Sequence, residues 1–254
     1  MKSLIVTRYV RPLREGGSLP AIVEASDDGL YVAKFRGAGQ GRKALIAELL
    51  AGGVGRALGL PVPELVLLNL DAKFGLNEPQ DEIRDLLNAS TGLNVGLDYL
   101  PGSITFDPLV PGALHSELAS RIVAFDSLIL NVDRTAKNPN LLTWHKQLWL
   151  IDHGASLYFH HGWANPEEAA RGVFAPIRQH VLLPFANHLG DVRFALSAEQ
   201  LDEVISTVPT EWLENEPGFA NAGEMRAAYK RFFEVRLANQ RVFLEEASRA
   251  RQQL

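Results

Sequence analysis

The spacing of apolar and polar positions divides the chain into a strand-rich first part and a mostly helical second part. Within residues 19–35, two short runs rich in β-forming residues flank an Asp-Asp-Gly turn at 27–29, and this arrangement is typical of a β-hairpin. Over residues 42–58 apolar residues recur every three or four positions, which predicts a helix. The Gly-Leu-Pro-Val-Pro sequence at its end stops that helix, because proline cannot continue it.

The pattern then changes before a short extended segment that we interpret as the joint between two lobes. Residues 64–70 predict a buried strand, and residues 79–90 predict a short helix with acidic residues in its first turn. The segment 93–103 is extended and ends in Pro-Gly. We therefore expect an N-terminal nucleotide-binding lobe over 1–100 and a helical catalytic lobe over 101–254.

The second part begins with a strongly periodic helix at residues 115–130. Two strands are predicted within 141–152, and most of the chain after residue 166 is predicted to be helical. Ser197 precedes a glutamine by three residues, which is the pattern of a capping box. Residues 222–254 predict one long amphipathic terminal helix.

Composition and charge narrow the class of protein. The 254 residues are 46% hydrophobic and 22% charged, which suits a folded protein with a sizeable core. A formal charge of −5 gives no indication of nucleic-acid or anionic-membrane binding. The absence of cysteine excludes disulfides, thiolate nucleophiles and cysteine–zinc sites. No signal peptide or membrane-length apolar run is apparent, so we expect a cytoplasmic protein.

A glycine-rich stretch after the second predicted strand allows two interpretations. Gly37, Gly39 and Gly41 lie between a strand and a helix, as in a dinucleotide-binding unit, but the spacing is one residue short of G-x-G-x-x-G. The stretch also has a lysine in the strand and a glutamate in the helix, as part of a kinase does. The strand–helix alternation of a dinucleotide-binding sheet is missing from the rest of the chain, which argues against an oxidoreductase.

The chemistry-bearing residues concentrate around the predicted hairpin. Asn138 follows Asp133 by five residues, and Asp152-His153-Gly154 follows Asn138 by fourteen. Phosphoryl transfer needs oxygen ligands that hold Mg²⁺ against phosphates and a carboxylate facing the acceptor hydroxyl. Because hairpin strands start and end beside each other, we expect Asn138 and Asp152 to lie close together. The combination predicts a nucleotide-phosphate site.

These motifs carry a resemblance to a known family. The run FDSLILNVDRTAKNPNLL, with LWLIDHG after it, closely resembles the HipA-like kinases, and the stretch from Tyr31 to Pro63 is similar to their N-terminal lobe. The match is to the compact, stand-alone kinase-domain proteins and not to the full toxin. It implies an α+β, bilobal protein-kinase-like fold, with a small mainly-β N-lobe containing one helix and a larger mainly-α C-lobe.

The resemblance also implies roles for individual residues and a dependence on ATP and Mg²⁺. Asp133 would be the catalytic aspartate, and Asn138 and Asp152 would be the Mg²⁺ ligands. Lys34 would pair with the α- and β-phosphates, and Glu48 would orient Lys34.

Further residues follow from the same resemblance. The family pattern places a phosphate-covering loop at Gly16, Gly17 and Ser18. It also places a backbone segment that contacts adenine at Asp98, Tyr99 and Leu100. Two positions depart from it: Ala47 stands where many members have asparagine, and His153 stands where protein kinases have phenylalanine. Ala47 lies beside Glu48 in the sequence. His153 argues against protein-kinase-style switching by the middle residue of the Asp152-His153-Gly154 motif.

Several alternatives stay open at this point. Arg134 could contact phosphates or hold its loop together, and Lys137 could neutralise a phosphoryl group or be a solvated loop lysine. Histidine spacing gives little support for zinc. A nucleotide-binding regulatory module or pseudokinase is the alternative to a kinase. A protein Ser/Thr hydroxyl is favoured as the acceptor over a small molecule or a lipid.

Overall fold

The computed structural model describes residues 1–13, 19–39, 41–76, 78–109 and 115–254. The predicted phosphate-covering residues Gly16, Gly17 and Ser18 lie outside the described residues. Among the helices that the structure describes, none has the length and apolar character needed to cross a membrane.

Five strands form a sheet that closes on itself near the N-terminus. They are β1 (Ser3–Pro12), β2 (Ala21–Ala25), β3 (Leu30–Lys34), β4 (Leu65–Leu70) and β5 (Gly92–Asp98). Their order around the sheet is β1-β2-β3-β5-β4, and only the closing β4–β1 pair is parallel among the pairs described. The predicted β2–β3 hairpin is confirmed, and Asp28 in its turn has φ +61°, a conformation that Asp tolerates better than most residues.

Three helices accompany this sheet: α1 (Arg42–Ala57), α2 (Lys73–Leu76) and α3 (Asp81–Ala89). The predicted helices at 42–58 and 79–90 are therefore confirmed. Glycines on α1 allow close packing, because a Cβ added at Gly53 would lie 2.9 Å from Val204 and one at Gly55 would lie 3.0 Å from Phe125. Both neighbours lie beyond the last strand of the closed sheet in sequence, so α1 also packs against elements outside that sheet.

A second, three-stranded sheet and a buried helix follow. The elements are β6 (Ile104–Thr105), α4 (Ser116–Ile129), β7 (Leu141–Trp144) and β8 (Gln147–Leu150). The predicted helix at 115–130 and the predicted hairpin are both confirmed. His145 and Lys146 have φ +48° and +63° in the hairpin turn, the combination found in a two-residue type I′ turn.

The remainder is helical but more broken than the sequence predicts. The α-helices are α5 (Pro166–Arg171), α6 (Ala198–Ser206), α7 (Thr210–Leu213), α8 (Ala222–Ala238) and α9 (Gln240–Gln252). Short 3₁₀ turns occupy Tyr158–His161, Ala175–Gln179, Leu183–Phe185 and Leu189–Asp191. The Ser197 capping box is confirmed, since its side chain accepts from the Gln200 N–H and the Gln200 side chain accepts from the Ser197 N–H.

The single terminal helix predicted over 222–254 is wrong. The chain leaves helical geometry at Asn239, whose side chain donates to the Val235 carbonyl at 2.7 Å. Beside it, the Gln240 side chain bonds both the N–H and the carbonyl of Phe194. Asparagine competes with helical hydrogen bonding in this way, and the tertiary bonds of Gln240 fix the break between α8 and α9.

The apolar core is divided between two clusters. The smaller cluster lies within the closed sheet and against α3, and it includes Val23, Tyr31, Phe35 and Leu68. The larger one contains one face of α1, parts of β4 and β5, α4 and the C-terminal helices. The expected boundary near residue 100 falls just after β5, and the larger cluster extends to both sides of it.

Candidate active site

Three charged side chains from distant parts of the chain meet at one point. Lys34 lies at the end of β3 and Glu48 lies on α1, while Asp152 follows β8. The Lys34 Nζ is 2.6 Å from Glu48 Oε2 and 2.6 Å from Asp152 Oδ1. The structure therefore brings Lys34 and Glu48 together, as the sequence predicts, and adds Asp152 as a second partner of the lysine.

Alternation along β3 explains where the lysine points. Tyr31, Ala33 and Phe35 are buried in the smaller core cluster, so Val32 and Lys34 face the opposite side, towards α1. The lysine side chain is only 14% exposed. Burial lowers the pKa of Lys34, but the nearby Glu48 and Asp152 carboxylates outweigh that effect and raise it. A buried ammonium is thus kept charged by two carboxylates.

Glu48 joins the lysine to the motif that contains Asp152. Its Oε2 accepts a 2.9 Å hydrogen bond from the backbone N–H of His153, and its Oε1 lies 3.5 Å from the His153 Nδ1. Burial raises the pKa of Glu48, but the charge of Lys34 and the hydrogen bond from His153 outweigh that effect. Together they lower the pKa from 4.5 to about 2. Glu48 therefore stays ionised and fixes the start of the Asp-His-Gly turn.

Asp152 combines a constrained backbone with an accessible carboxylate. Its φ is +56°, in the left-handed region that few residues other than glycine adopt. Its side chain is 44% exposed, in contrast to the fully buried Glu48. The Ile151 N–H before it donates to the Asn140 carbonyl at 3.1 Å. The turn thus presents Asp152 to solvent beside the end of the loop that contains Asn138.

Asp133 is surrounded by amide groups on its own loop. The Asn138 Nδ2 donates to Asp133 Oδ2 at 2.7 Å, and the Asn140 Nδ2 approaches the same oxygen at 3.3 Å. The Asp133 backbone N–H donates to the Asn131 Oδ1 at 3.0 Å. Asp133 is half-buried and Asn138 is exposed. Asn138 therefore lies against Asp133 within the loop, and its expected closeness to Asp152 stays a prediction.

The structure favours the loop-holding interpretation of Arg134. The side chain is fully buried, and its Nε donates to Asp126 Oδ2 at 2.5 Å. Its Nη1 bonds the carbonyls of Asn140 and Ile151. The guanidinium therefore joins α4, the Asp133 loop and the residue before Asp152. Lys137, in contrast, is exposed.

The segment predicted to contact adenine lies at the end of β5. The N–H of Asp98 donates to the Glu64 carbonyl at 2.8 Å, and that of Tyr99 donates to the Leu30 carbonyl at 3.0 Å. Leu100 is buried, and the Pro101 carbonyl accepts from the Trp144 indole at 2.9 Å. A nucleotide base could use only the remaining backbone groups here, and the adenine contact stays a prediction.

Two further predictions concern a zinc site and the phosphate-covering loop. No group of three or more His, Cys, Asp or Glu side chains that could hold a metal is found among the described residues. His160 is buried, and its Nδ1 lies 2.9 Å from the Tyr229 hydroxyl. The predicted roles of Gly16, Gly17 and Ser18 concern residues beyond those that the structure describes.

Sequence reasoning missed two buried residues beneath the Asp133 loop, Asp126 and His180. The His180 Nε2 lies 2.8 Å from Asp126 Oδ2. Asp126 had a readable signal, because in the predicted helix at 115–130 it follows the apolar Ile122 by one turn, and a carboxylate on a buried face needs a partner. His180 had none, since it lies far along the chain in a segment of short turns.

Several solved structures are similar to this chain. The chain is similar to the Helicobacter pylori proinflammatory kinase CtkA at 13% identity and TM-score 0.51, covering 99% of both chains. It is also similar to Golgi casein kinase with Mn/ADP bound, at 13% identity and TM-score 0.46, over 97% of this chain and 73% of that chain. A further Golgi casein kinase structure matches at 12% identity and TM-score 0.45, over 97% and 72%.

The CtkA likeness confirms a protein-kinase-like α+β fold, with the closed sheet near the N-terminus and the helices after it. No curated protein matches this chain. A family model described as HipA-like kinase matches residues 6–238 of the 254. That match spans both the Lys34–Glu48 pair and the Asp133 loop, and the chain therefore belongs to the HipA-like kinase family.

Proposed function

We propose that this kinase transfers the γ-phosphate of ATP, with Mg²⁺, to the hydroxyl group of a protein serine or threonine. The observation that carries the proposal is the junction of Lys34, Glu48 and Asp152, with two contacts of 2.6 Å at the lysine ammonium. A strand lysine held by a helix glutamate, beside an exposed carboxylate that can bind metal, is the arrangement with which protein kinases carry out ATP-dependent phosphoryl transfer.

Two of the candidate site residues have donor atoms that suit Mg²⁺. The Asp152 carboxylate and the Asn138 amide oxygen are hard ligands of the kind that this ion prefers. Since no larger group of acidic or histidine ligands is found among the described residues, the ion would need nucleotide phosphate oxygens to complete its shell. When bound, Mg²⁺ would neutralise charge on the phosphates during transfer.

The chain's own residues supply orientation. Glu48 holds Lys34, so the ammonium would meet the α- and β-phosphates in a fixed position. Asn138 and Asn140 both approach Oδ2 of Asp133, which fixes the plane of that carboxylate. Asp133 would accept a hydrogen bond from the acceptor hydroxyl and aim it at the γ-phosphorus.

A phosphoryl-transfer assay tests the proposal. With labelled ATP, Mg²⁺ and a generic protein acceptor, we expect transfer or slow ATP hydrolysis by the wild type. Asp133→Ala and Asp152→Ala should each abolish it, while Asp85→Ala, at an exposed position on α3, should not. Unchanged turnover in either of the first two variants contradicts the proposal.

The same protein preparations separate a kinase from a nucleotide-binding module. Mg-ATP at 100 times its Kd should stabilise the folded state by about 2.7 kcal/mol in either case. Stabilisation without any ADP formation would identify a regulatory module or pseudokinase and reject the catalytic assignment.

A further inference from the structure

A cluster of four buried polar and charged side chains lies beneath the Asp133 loop. It comprises Asp126, Asn131, Arg134 and His180, which we call the loop support, and each of these residues is at most 6% exposed. Asp126 Oδ2 accepts from Arg134 Nε at 2.5 Å and from His180 Nε2 at 2.8 Å, while its Oδ1 accepts from Asn131 Nδ2 at 3.0 Å.

The backbone determines the protonation of His180. The N–H of Leu182 donates to the His180 Nδ1 at 3.0 Å, so Nδ1 carries the lone pair and Nε2 carries the proton that faces Asp126. Burial lowers the pKa of His180 more than the Asp126 carboxylate raises it, so the ring is neutral. His180 is therefore a fixed hydrogen-bond donor to Asp126.

The loop support reaches the candidate catalytic residue by two routes. On one route, Asp126 holds the Asn131 side chain, whose Oδ1 accepts the N–H of Asp133. On the other, Asp126 holds Arg134, which bonds the Asn140 carbonyl, and the Asn140 side chain approaches Asp133 Oδ2 at 3.3 Å. Both routes begin at the carboxylate that His180 orients.

The segment containing His180 also pairs directly with the loop. His180 and Thr135 form an antiparallel bridge, and the Val181 N–H donates to the Arg134 carbonyl at 3.1 Å. His180 thus contacts Asp126 of α4 through its ring and the loop through its backbone. A buried ion pair gains little over apolar packing, so the retained charges are better explained by a requirement for fixed geometry.

We propose that His180 is a positioning residue for Asp133, acting through Asp126 and Arg134. The inference rests on the proposed function, in which Asp133 orients the acceptor. Displacement of such a residue by about 1 Å can cost about 100-fold in rate. Loss of the His180 donor should therefore lower kcat and leave nucleotide affinity nearly unchanged, because Lys34 and Glu48 lie outside the loop support.

Steady-state kinetics of three variants test this. We expect His180→Phe to lower kcat by about 10- to 100-fold with KM for ATP within about twofold of wild type. His180→Gln, which keeps a side-chain donor, should recover much of kcat. The matched control is His160→Phe, the same change at a buried histidine that bonds Tyr229, and it should keep the wild-type kcat. Equal loss in both Phe variants, or a change in KM alone, overturns the inference.

If His180→Phe does not fold, a second variant, Arg134→Lys, tests the same positioning route. Arg134→Lys keeps a cation beside Asp126 but cannot also bond the carbonyls of Asn140 and Ile151. It should lower kcat, and because Ile151 directly precedes Asp152, this variant is judged on kcat alone. Normal turnover in a folded Arg134→Lys protein would contradict the proposed route.

Amide hydrogen exchange separates failure of the inference from failure of the proposed function. The N–H groups of Asp133 and Val181 should exchange at least about tenfold faster in His180→Phe than in His160→Phe. If the wild type lacks turnover, the proposed function fails, and this exchange difference still decides whether His180 orders the loop. Equal exchange in the two variants rejects the positioning role.

Discussion

At the scale of single residues, Glu48 connects the parts of the candidate site. One carboxylate contacts the Lys34 ammonium, the backbone N–H of His153 and the edge of the His153 ring. The Lys34–Glu48 contact could be predicted because both residues match a family motif. The link to His153 could not, since no spacing rule relates residue 48 to a backbone group about a hundred residues later.

Glu48 should make stability depend on pH in the acid range. Its pKa is lowered from the ordinary 4.5 to about 2, so its stabilising contribution is present above pH 4.5 and is lost as pH falls towards 2. The free energy of unfolding of wild type relative to Glu48→Gln should therefore decrease as pH falls. The slope can reach about 1.4 kcal/mol per pH unit.

Urea unfolding of both proteins between about pH 6 and pH 3 measures this difference. Glu48→Gln serves as the reference because it keeps the shape of the side chain and removes only its titration. A difference that stays constant over this range would show that Glu48 is not held ionised by Lys34 and His153.

At the scale of secondary-structure elements, α1 is attached to the second half of the chain at its N-terminal end. The Lys43 Nζ donates to the carbonyls of His160 and His161 and to Glu216 Oε1, at 2.8, 3.0 and 2.6 Å. The neighbouring Arg42 bonds the Glu211 carbonyl at 3.3 Å. These contacts hold the N-terminal end of α1, the helix that also carries Glu48.

Removal of this attachment should destabilise the protein measurably. Lys43→Met keeps the aliphatic length but leaves the largely buried Glu216 and two carbonyls without their donor, so we expect a loss of about 1–3 kcal/mol. The control is Lys73→Met, since Lys73 and Asp71 form an exposed pair at 3.9 Å and should contribute less than about 0.5 kcal/mol. Equal denaturation midpoints for the two variants would show that Lys43 does not hold α1.

Secondary-structure elements were predictable from the sequence where local periodicity or turn residues alone determine them. The β2–β3 hairpin, α1, α4 and the β7–β8 hairpin all follow from local periodicity and turn chemistry. The break between α8 and α9 depends on Gln240 bonding Phe194, a contact between residues far apart in sequence. Local propensity favours continuation there, and a tertiary interaction overrides it.

At the scale of the whole molecule, the candidate site lies where the closed sheet meets the second half of the chain. The Leu150 N–H donates to the Pro61 carbonyl at 2.8 Å, so the end of β8 is attached to the connection between α1 and β4. The larger core cluster joins the same regions. This packing places Asp152 beside Lys34. The sequence predicts the Asp133 loop and the Asp152 turn, but it does not predict the contacts that attach them to the closed sheet and α1.

The central claim is that Lys34, Glu48 and Asp152 form a metal–nucleotide site, and calorimetric titration with Mg-ATP tests it most directly. Wild type should bind one Mg-ATP, and both Asp152→Asn and chelation of the metal should weaken binding by at least about tenfold. Asp85→Asn, at an exposed position on α3, should bind like wild type. Absence of binding to wild type, or affinity that neither Asp152→Asn nor metal removal changes, would contradict the account.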